Sequence, residues 1–127
     1  MDAAAITSAF QSLQNENPGS FELLVVISKA GEVLYSSQEG AVTPDQAKHI
    51  LDVWSNNKAA VELGEIRYPV LKWDPLQFAA KNVGGKGSLV GSKTKAENYA
   101  VAKVSPGSPL SVIQASIVLN RWAWNVC

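Results

Sequence analysis

Apolar residues recur at helical spacing near the start, the middle and the end of the chain, with strand-like runs between them. Ile6, Ala9, Phe10 and Leu13 stand at i, i+3, i+4 and i+7, which predicts a short amphipathic helix over 3–14, stopped by the polar run Asn15 to Gly19. In FELLVVISKAGEVLYSS two β-rich runs flank a Lys-Ala-Gly-Glu connection and predict a hairpin over roughly 21–37. AVTPDQAKHILDVW then marks a helix start. Thr43 can cap with its hydroxyl, Pro44 suits the first helical position, and Gln46 can reach back to the cap amide. Ala47, Ile50, Leu51 and Trp54 follow as one stripe facing a core, and Asn56 and Asn57 end the helix.

From 65 to 104 the pattern predicts four extended segments, near 65–72, 76–81, 88–94 and 97–104, broken at Asp74-Pro75, at Gly84 to Gly87 and around Lys95 to Glu97. The short connections make neighbours antiparallel. A last helix is expected to start at Ser108, with Pro109 in its first position, and to run to about Trp124. It carries two apolar lines, Val112, Ala115, Leu119 and Trp122 on one and Ile113, Ile117 and Trp124 on the other. Such a helix is sandwiched or offers one face to a partner. Helices packed on an antiparallel sheet, an α+β domain spanning 1–127, is the simplest arrangement of these elements.

Composition narrows the function classes. The chain has 127 residues, 46% of them hydrophobic, and a formal net charge of zero, so it has the size of one domain and no long-range attraction to nucleic acid or an anionic membrane. The distribution is less even. Residues 1–66 hold nine acids against three lysines, whereas 67–103 hold seven Lys or Arg against two acids. The only cysteine, Cys127, excludes an internal disulfide and leaves too little thiol for structural zinc. The N-terminus lacks the pattern of a secretory signal, and the longest aliphatic run, Leu23 to Ile27, is far too short to span a membrane. A cytoplasmic location is expected.

Catalytic material is scarce. His49, the only histidine, lies off the apolar stripe of its helix and reads as a solvated residue. No His, Cys, Asp or Glu cluster has metal-ligand spacing. VGGKGSLVGSKT departs from a phosphate-binding loop, because Ser92 follows Gly91 where that loop requires Lys; a hairpin turn is the better reading. Neither an enzyme nor a cofactor is expected. Nucleic-acid binding is disfavoured too, since only Phe78 and Tyr99 are aromatic between 76 and 103 and the sequence pI is near 6.6.

A protein-binding module remains. The hairpin around KAGEVLYSS, the helix entered by AVTPDQ, the strand LGEIRYPVLK, the turn region AAKNVGG and the ending after YAVAKV together resemble the profilin family, in order and over nearly the whole chain. The resemblance implies a central antiparallel sheet of about six strands, with the terminal helices on one face and the remaining helix on the other. It implies a monomer that binds monomeric actin and regulates actin polymerisation in the cytoplasm and cytoskeleton, through the later strands and the start of the last helix. Arg67 and Lys72 match two basic actin-contacting positions, Val70 the apolar contact between them, and Lys81 a third basic position; one further basic position falls on Ala79.

The resemblance also implies an aromatic groove for proline-rich segments, and phosphoinositide binding. Its N-terminal Trp and Tyr fall near Ala4 and Thr7, and its strand Trp falls on Leu34, which leaves Phe10, Tyr35, Trp122 and Trp124 as the candidate platform. The alternative is a roadblock- or longin-like dimeric adaptor that scaffolds small GTPases or trafficking complexes. Strand alternation adds a constraint of its own. Arg67 and Lys72 lie on opposite faces of a regular strand, so a shared face requires a bulge or strong twist near Pro69.

Overall fold

The computed structural model describes residues 2–127, and among them three helices and seven strands. Helix α1 (Ala3–Glu16) is capped by Asp2, whose carboxylate accepts from the Ala4 N–H at 3.0 Å. The hairpin β1 (Phe21–Ile27) and β2 (Val33–Ser36) follows. Helix α2 (Pro44–Ser55) opens on the predicted capping box: the Gln46 N–H donates to Thr43 Oγ1 at 3.1 Å and the Thr43 N–H to Gln46 Oε1 at 3.0 Å.

A continuous antiparallel meander comes next: β3 (Ala60–Leu63), β4 (Ile66–Trp73), β5 (Gln77–Lys81), β6 (Ser88–Lys93) and β7 (Tyr99–Val104). The sheet order β2-β1-β7-β6-β5-β4-β3 places the first strand against the last. The sheet thus has seven strands where six were expected. The additional one, β3, is only four residues long and is tied to β4 by the two-residue loop Gly64-Glu65, with Gly64 at a φ of +62° that a hairpin loop demands of its first residue.

Helix α3 (Val112–Val126) begins three residues beyond the predicted Pro109 position. The effective cap is Ser111, whose hydroxyl accepts from the Gln114 N–H at 3.1 Å while the Gln114 side chain accepts from the Ser111 N–H at 2.9 Å. Ser108 serves the preceding turn, with its hydroxyl 2.7 Å from that of Ser20 and accepting from the Leu110 N–H.

Strand alternation divides the core into two layers. On one side α1 and α3 cover Leu24, Val26, Ala79, Val90, Ala100 and Ala102; on the other α2 covers Val25, Ile27, Val61, Tyr68, Phe78, Ala80 and Val101. Terminal helices on one face and the middle helix on the other is the arrangement the resemblance implies. In α2 the stripe differs by one residue from the expected set, since Val53 is fully buried and Leu51 only partly. His49 is less solvated than expected, because its Nε2 accepts from the Glu62 N–H at 3.0 Å and ties α2 to β3. Cys127 packs on the α1–α3 layer, where burial pushes its thiol up to about 11 and keeps it protonated at neutral pH.

The α2 layer closes most tightly at Trp54. Its indole N–H donates to the Asp74 carbonyl at 2.7 Å, and its ring lies 5.3 Å from that of Phe78. Gly91 makes this approach possible: a Cβ there would fall 2.7 Å from Trp54 Cζ3 and 3.0 Å from Cη2. Gly91→Ala is therefore expected to destabilise the fold by about 1–3 kcal/mol, because the pinned indole cannot yield without strain. Urea unfolding tests this, and an unchanged midpoint would mean that the indole has room to move.

Candidate protein-binding face

The predicted bulge exists, two residues after Pro69. Val70 pairs with Ala80 and Lys72 with Ala79, so Leu71 is the extra residue of a β-bulge. Pro69 is accommodated in the regular part of the strand, opposite Ala60. The Val70 N–H points to β3, donating to the Ala59 carbonyl at 2.9 Å, so the N–H that Pro69 lacks would point toward β5, beyond the Val70–Ala80 pair near the end of that strand.

The bulge decides which way the cations face. Tyr68 and Val70 point into the α2 layer. Arg67, alternating with Tyr68, points to the opposite side, and Lys72 joins it because its partner Ala79 belongs to the α1–α3 layer. Lys81 lies two residues from Ala79 on β5 and takes the same side. Arg67, Lys72 and Lys81 thus share one side of the sheet. Val70, which the resemblance places between the cations, is instead half-buried on the other side; Leu71, 55% exposed, alternates with it onto the cation side.

Helix α3 packs over β5, β6 and β7, and α1 over β1, so the cation side of β3 and β4 lies beyond the helices. Gln77 joins the two regions: its Oε1 accepts from Lys72 Nζ at 3.1 Å and from the Ser116 hydroxyl of α3 at 3.3 Å. Arg67 has one loose cross-strand partner, with Nε 3.8 Å from Glu62 Oε1 and both side chains mostly exposed, a contact worth little in water. Lys81 has no ion pair among the described residues and lines a small hollow with Ser111 and Val112 at the start of α3.

On α3 itself, Ile113, Ile117 and Trp124 are 38–42% exposed. Helical geometry puts them on the flank of Ser116 and Asn120, which bond to Gln77 and to Ser92, and so toward β4. The opposite flank belongs to α1 through Trp122. Leu71, Ile113 and Ile117 are thus exposed apolar residues on the side of the sheet that carries the three cations.

Sequence reasoning missed Asn82, which organises this region. Its amide donates to the Arg67 carbonyl at 2.8 Å, and its Oδ1 accepts from the N–H groups of Gly84 at 2.9 Å and Lys86 at 3.0 Å. One side chain thereby fixes the 82–87 turn against β4. The available signal is the Asn-Val-Gly-Gly run, in which Asn can bond its own backbone two residues on.

Of the four aromatic residues proposed for proline-rich segments, Phe10, Tyr35 and Trp122 lie together at the α1 seam, where Phe10 and Tyr35 line a shallow hollow. Phe10 is 3% exposed, and its ring meets that of Trp122 edge to face at 6.1 Å. The Trp122 N–H is engaged by the Ala9 carbonyl at 3.1 Å, and the Tyr35 hydroxyl lies 2.8 Å from Thr7 Oγ1. Trp124 stands on the other flank of α3. Among the described residues no cluster of three or more His, Cys, Asp or Glu is placed to hold a metal.

A single antiparallel sheet with the terminal helices on one face and the middle helix on the other, its β3–β4 end carrying exposed cations and Leu71, is the plan of a small α+β binding module. No family profile matches the chain. Curated proteins do: the chain is 38% identical to Loki profilin-3 of Lokiarchaeum sp. (strain GC14_75) over 112 residues, covering 87% of this chain and 89% of that protein. The chain belongs to the profilin family. Solved structures agree on the fold. A LokiProfilin2/rabbit actin complex matches with a TM-score of 0.78 at 16% identity over the whole of both chains, and Acanthamoeba castellanii profilin IB with 0.71 at 19%, covering 92% of this chain and 91% of that one. A roadblock/LC7 domain from Streptomyces avermitillis is a more distant likeness, with a TM-score of 0.56 at 15% identity over 95% of this chain and 97% of that one.

Proposed function

We propose that this chain binds monomeric actin and regulates its polymerisation, using Arg67, Lys72 and Lys81 together with Leu71, Ile113 and Ile117. The observation that carries the reading is the bulge at Leu71, which turns Arg67 and Lys72 to one side of the sheet. Family membership supports it, as does the presence of an actin complex among the solved structures of the same fold. The chemistry suits a partner with an acidic rim around an apolar patch, since complementary rim charges speed encounter and buried apolar anchors hold it.

Calorimetry with monomeric actin, paired with an assembly assay, tests the proposal. Saturable binding that slows filament assembly is expected; no binding at about 50 μM by a folded protein would overturn it. The location expected from such a role is the cytoplasm and cytoskeleton, and no helix among the described residues is long and apolar enough to cross a membrane. Binding to proline-rich segments is not part of this proposal, because Phe10, Tyr35 and Trp122 are engaged in packing and hydrogen bonds at the α1 seam, and phosphoinositide binding, for which no residue is singled out, is left aside with it. The adaptor alternative is separable by solution mass, with a monomer expected here and a constitutive dimer expected of the adaptor.

A further inference from the structure

On the α2 side of the sheet, away from the exposed cations, the first turns of α2 leave a cavity of about 340 Å³ above the strands. Its walls are largely apolar: Val25, Leu89 and Val101 from the sheet, Ile50 from α2, and Leu63 and Ile66 from the β3–β4 hairpin. The size lies at the lower end of the range of small-molecule sites, which combine apolar walls with a few converging polar groups.

Polar side chains stand in its wall as well. Tyr68 is only 2% exposed and lines the cavity, yet no hydrogen bond from its hydroxyl to a described residue is formed. Every fully sealed side-chain N or O atom among the described residues has a partner, so the phenolic oxygen opens onto the cavity. Burial raises the pKa of this phenol, with the Lys103 ammonium opposing the shift and Glu22 adding to it, and the hydroxyl is a proton donor at neutral pH. Lys103 pairs across the ladders with Leu23 and Leu89 at the limit of the apolar floor, and its Nζ lies 3.5 Å from Glu22 Oε2. An ammonium has three donors, and this pair occupies one. Gln46 gives its Oε1 to the α2 capping box, which leaves its NH₂ group as a further donor at the cavity wall.

We propose that this cavity binds a small amphipathic carboxylate, its apolar chain lying against Val25, Ile50 and Val101 and its carboxylate received by Tyr68, Lys103 and Gln46. Three donors thus line one largely apolar pocket, which asks for an acceptor-rich head on an apolar body. Glu22 limits the charge of that head. It already pairs with Lys103, so the site holds no spare positive charge, and the head carries at most one negative charge, held by the neutral donors as well as by the shared ammonium.

The site is on the opposite side of the sheet from the proposed actin contacts, so the two proposals stand or fall separately. The test is an amide NMR titration with octanoate, with octan-1-ol as the uncharged control. Octanoate should give saturable shifts at Val25, Ile50, Tyr68 and Val101, and octanol should bind about fivefold more weakly or less. Tyr68→Phe, which keeps the ring and its packing, should lose about threefold or more in octanoate affinity with an unchanged spectrum elsewhere. No saturable shift at these residues up to about 10 mM octanoate would overturn the site. Equal binding of acid and alcohol, or an unaffected Tyr68→Phe, would overturn the assignment of the carboxylate.

Discussion

Replacing Arg67 and Lys72 together by glutamate is expected to weaken binding to monomeric actin by about 100-fold or more, while the protein remains folded. Both side chains lie on the open side of β4, and like charges brought face to face across an interface cost several kcal/mol, where about 2.7 kcal/mol suffices for that factor. The fold has little at stake in them. Arg67 contributes a long, exposed pair with Glu62, and Lys72 a single hydrogen bond to Gln77, which keeps its bond to Ser116 when the lysine is lost. The reversal at Arg67 places like charges across the β3–β4 ladder, a penalty of at most about 1 kcal/mol. Lys95→Glu, on the exposed turn after β6, is a charge-reversal control away from this face and should bind normally. Calorimetry at two salt concentrations reads the effect, and an affinity that survives the double reversal would remove this face from the interaction.

Phe78→Ala is expected to cost about 3–5 kcal/mol of stability and to lower the melting temperature by roughly 10–20 °C. The ring is fully buried between the sheet and α2, 5.3 Å from the ring of Trp54. Such a void is expensive when its walls cannot collapse. Here the Trp54 indole is tethered to the Asp74 carbonyl, and Tyr99 meets its ring from another side at 5.1 Å. Phe78 points away from the cation side, so at a temperature where the variant is folded its actin affinity should match the parent's. Thermal unfolding and calorimetry on one preparation separate the two effects. A loss below about 1 kcal/mol would mean that α2 can settle into the gap.

What the sequence makes legible follows from the range of the forces involved. The α2 cap is local chemistry: Thr43, Pro44 and Gln46 lie within one turn, and the box they predict is the box that forms. The same logic contains the correct start of α3, since Ser111 and Gln114 are a second such box, but Ser108-Pro109 imitates it three residues earlier. Only the contact of Ser108 with Ser20, distant in sequence, assigns that serine to a turn. Strand β3 escapes pattern reading because Ala60 to Leu63 offers only four residues, too few for alternation to stand out.

The binding face shows the same division. The identities of Arg67, Lys72 and Lys81 are visible in the chain, and alternation shows that the first two need an irregularity in order to meet. Where it falls is set by pairing. Pro69 is the evident breaker, yet it fits beside the end of β5, and the extra residue is Leu71. Ile113 and Ile117 read as an unassigned second line on the last helix; only the bonds of Ser116 and Asn120 to the sheet show which neighbour that line confronts.

The placement of β1 between β2 and β7 bears on how the chain reaches its folded state. The run Phe21 to Ile27 is among the most apolar in the protein, and one of its two edges is completed only by Tyr99 to Val104. Pairings so distant in sequence form slowly, because the intervening loop must be closed before any contact rewards it. During synthesis at the ribosome, β1 and β2 emerge long before β7, leaving a hydrophobic strand edge open to other chains. The polypeptide is therefore most vulnerable to aggregation late in its own translation, in the interval that ends when β7 takes its place.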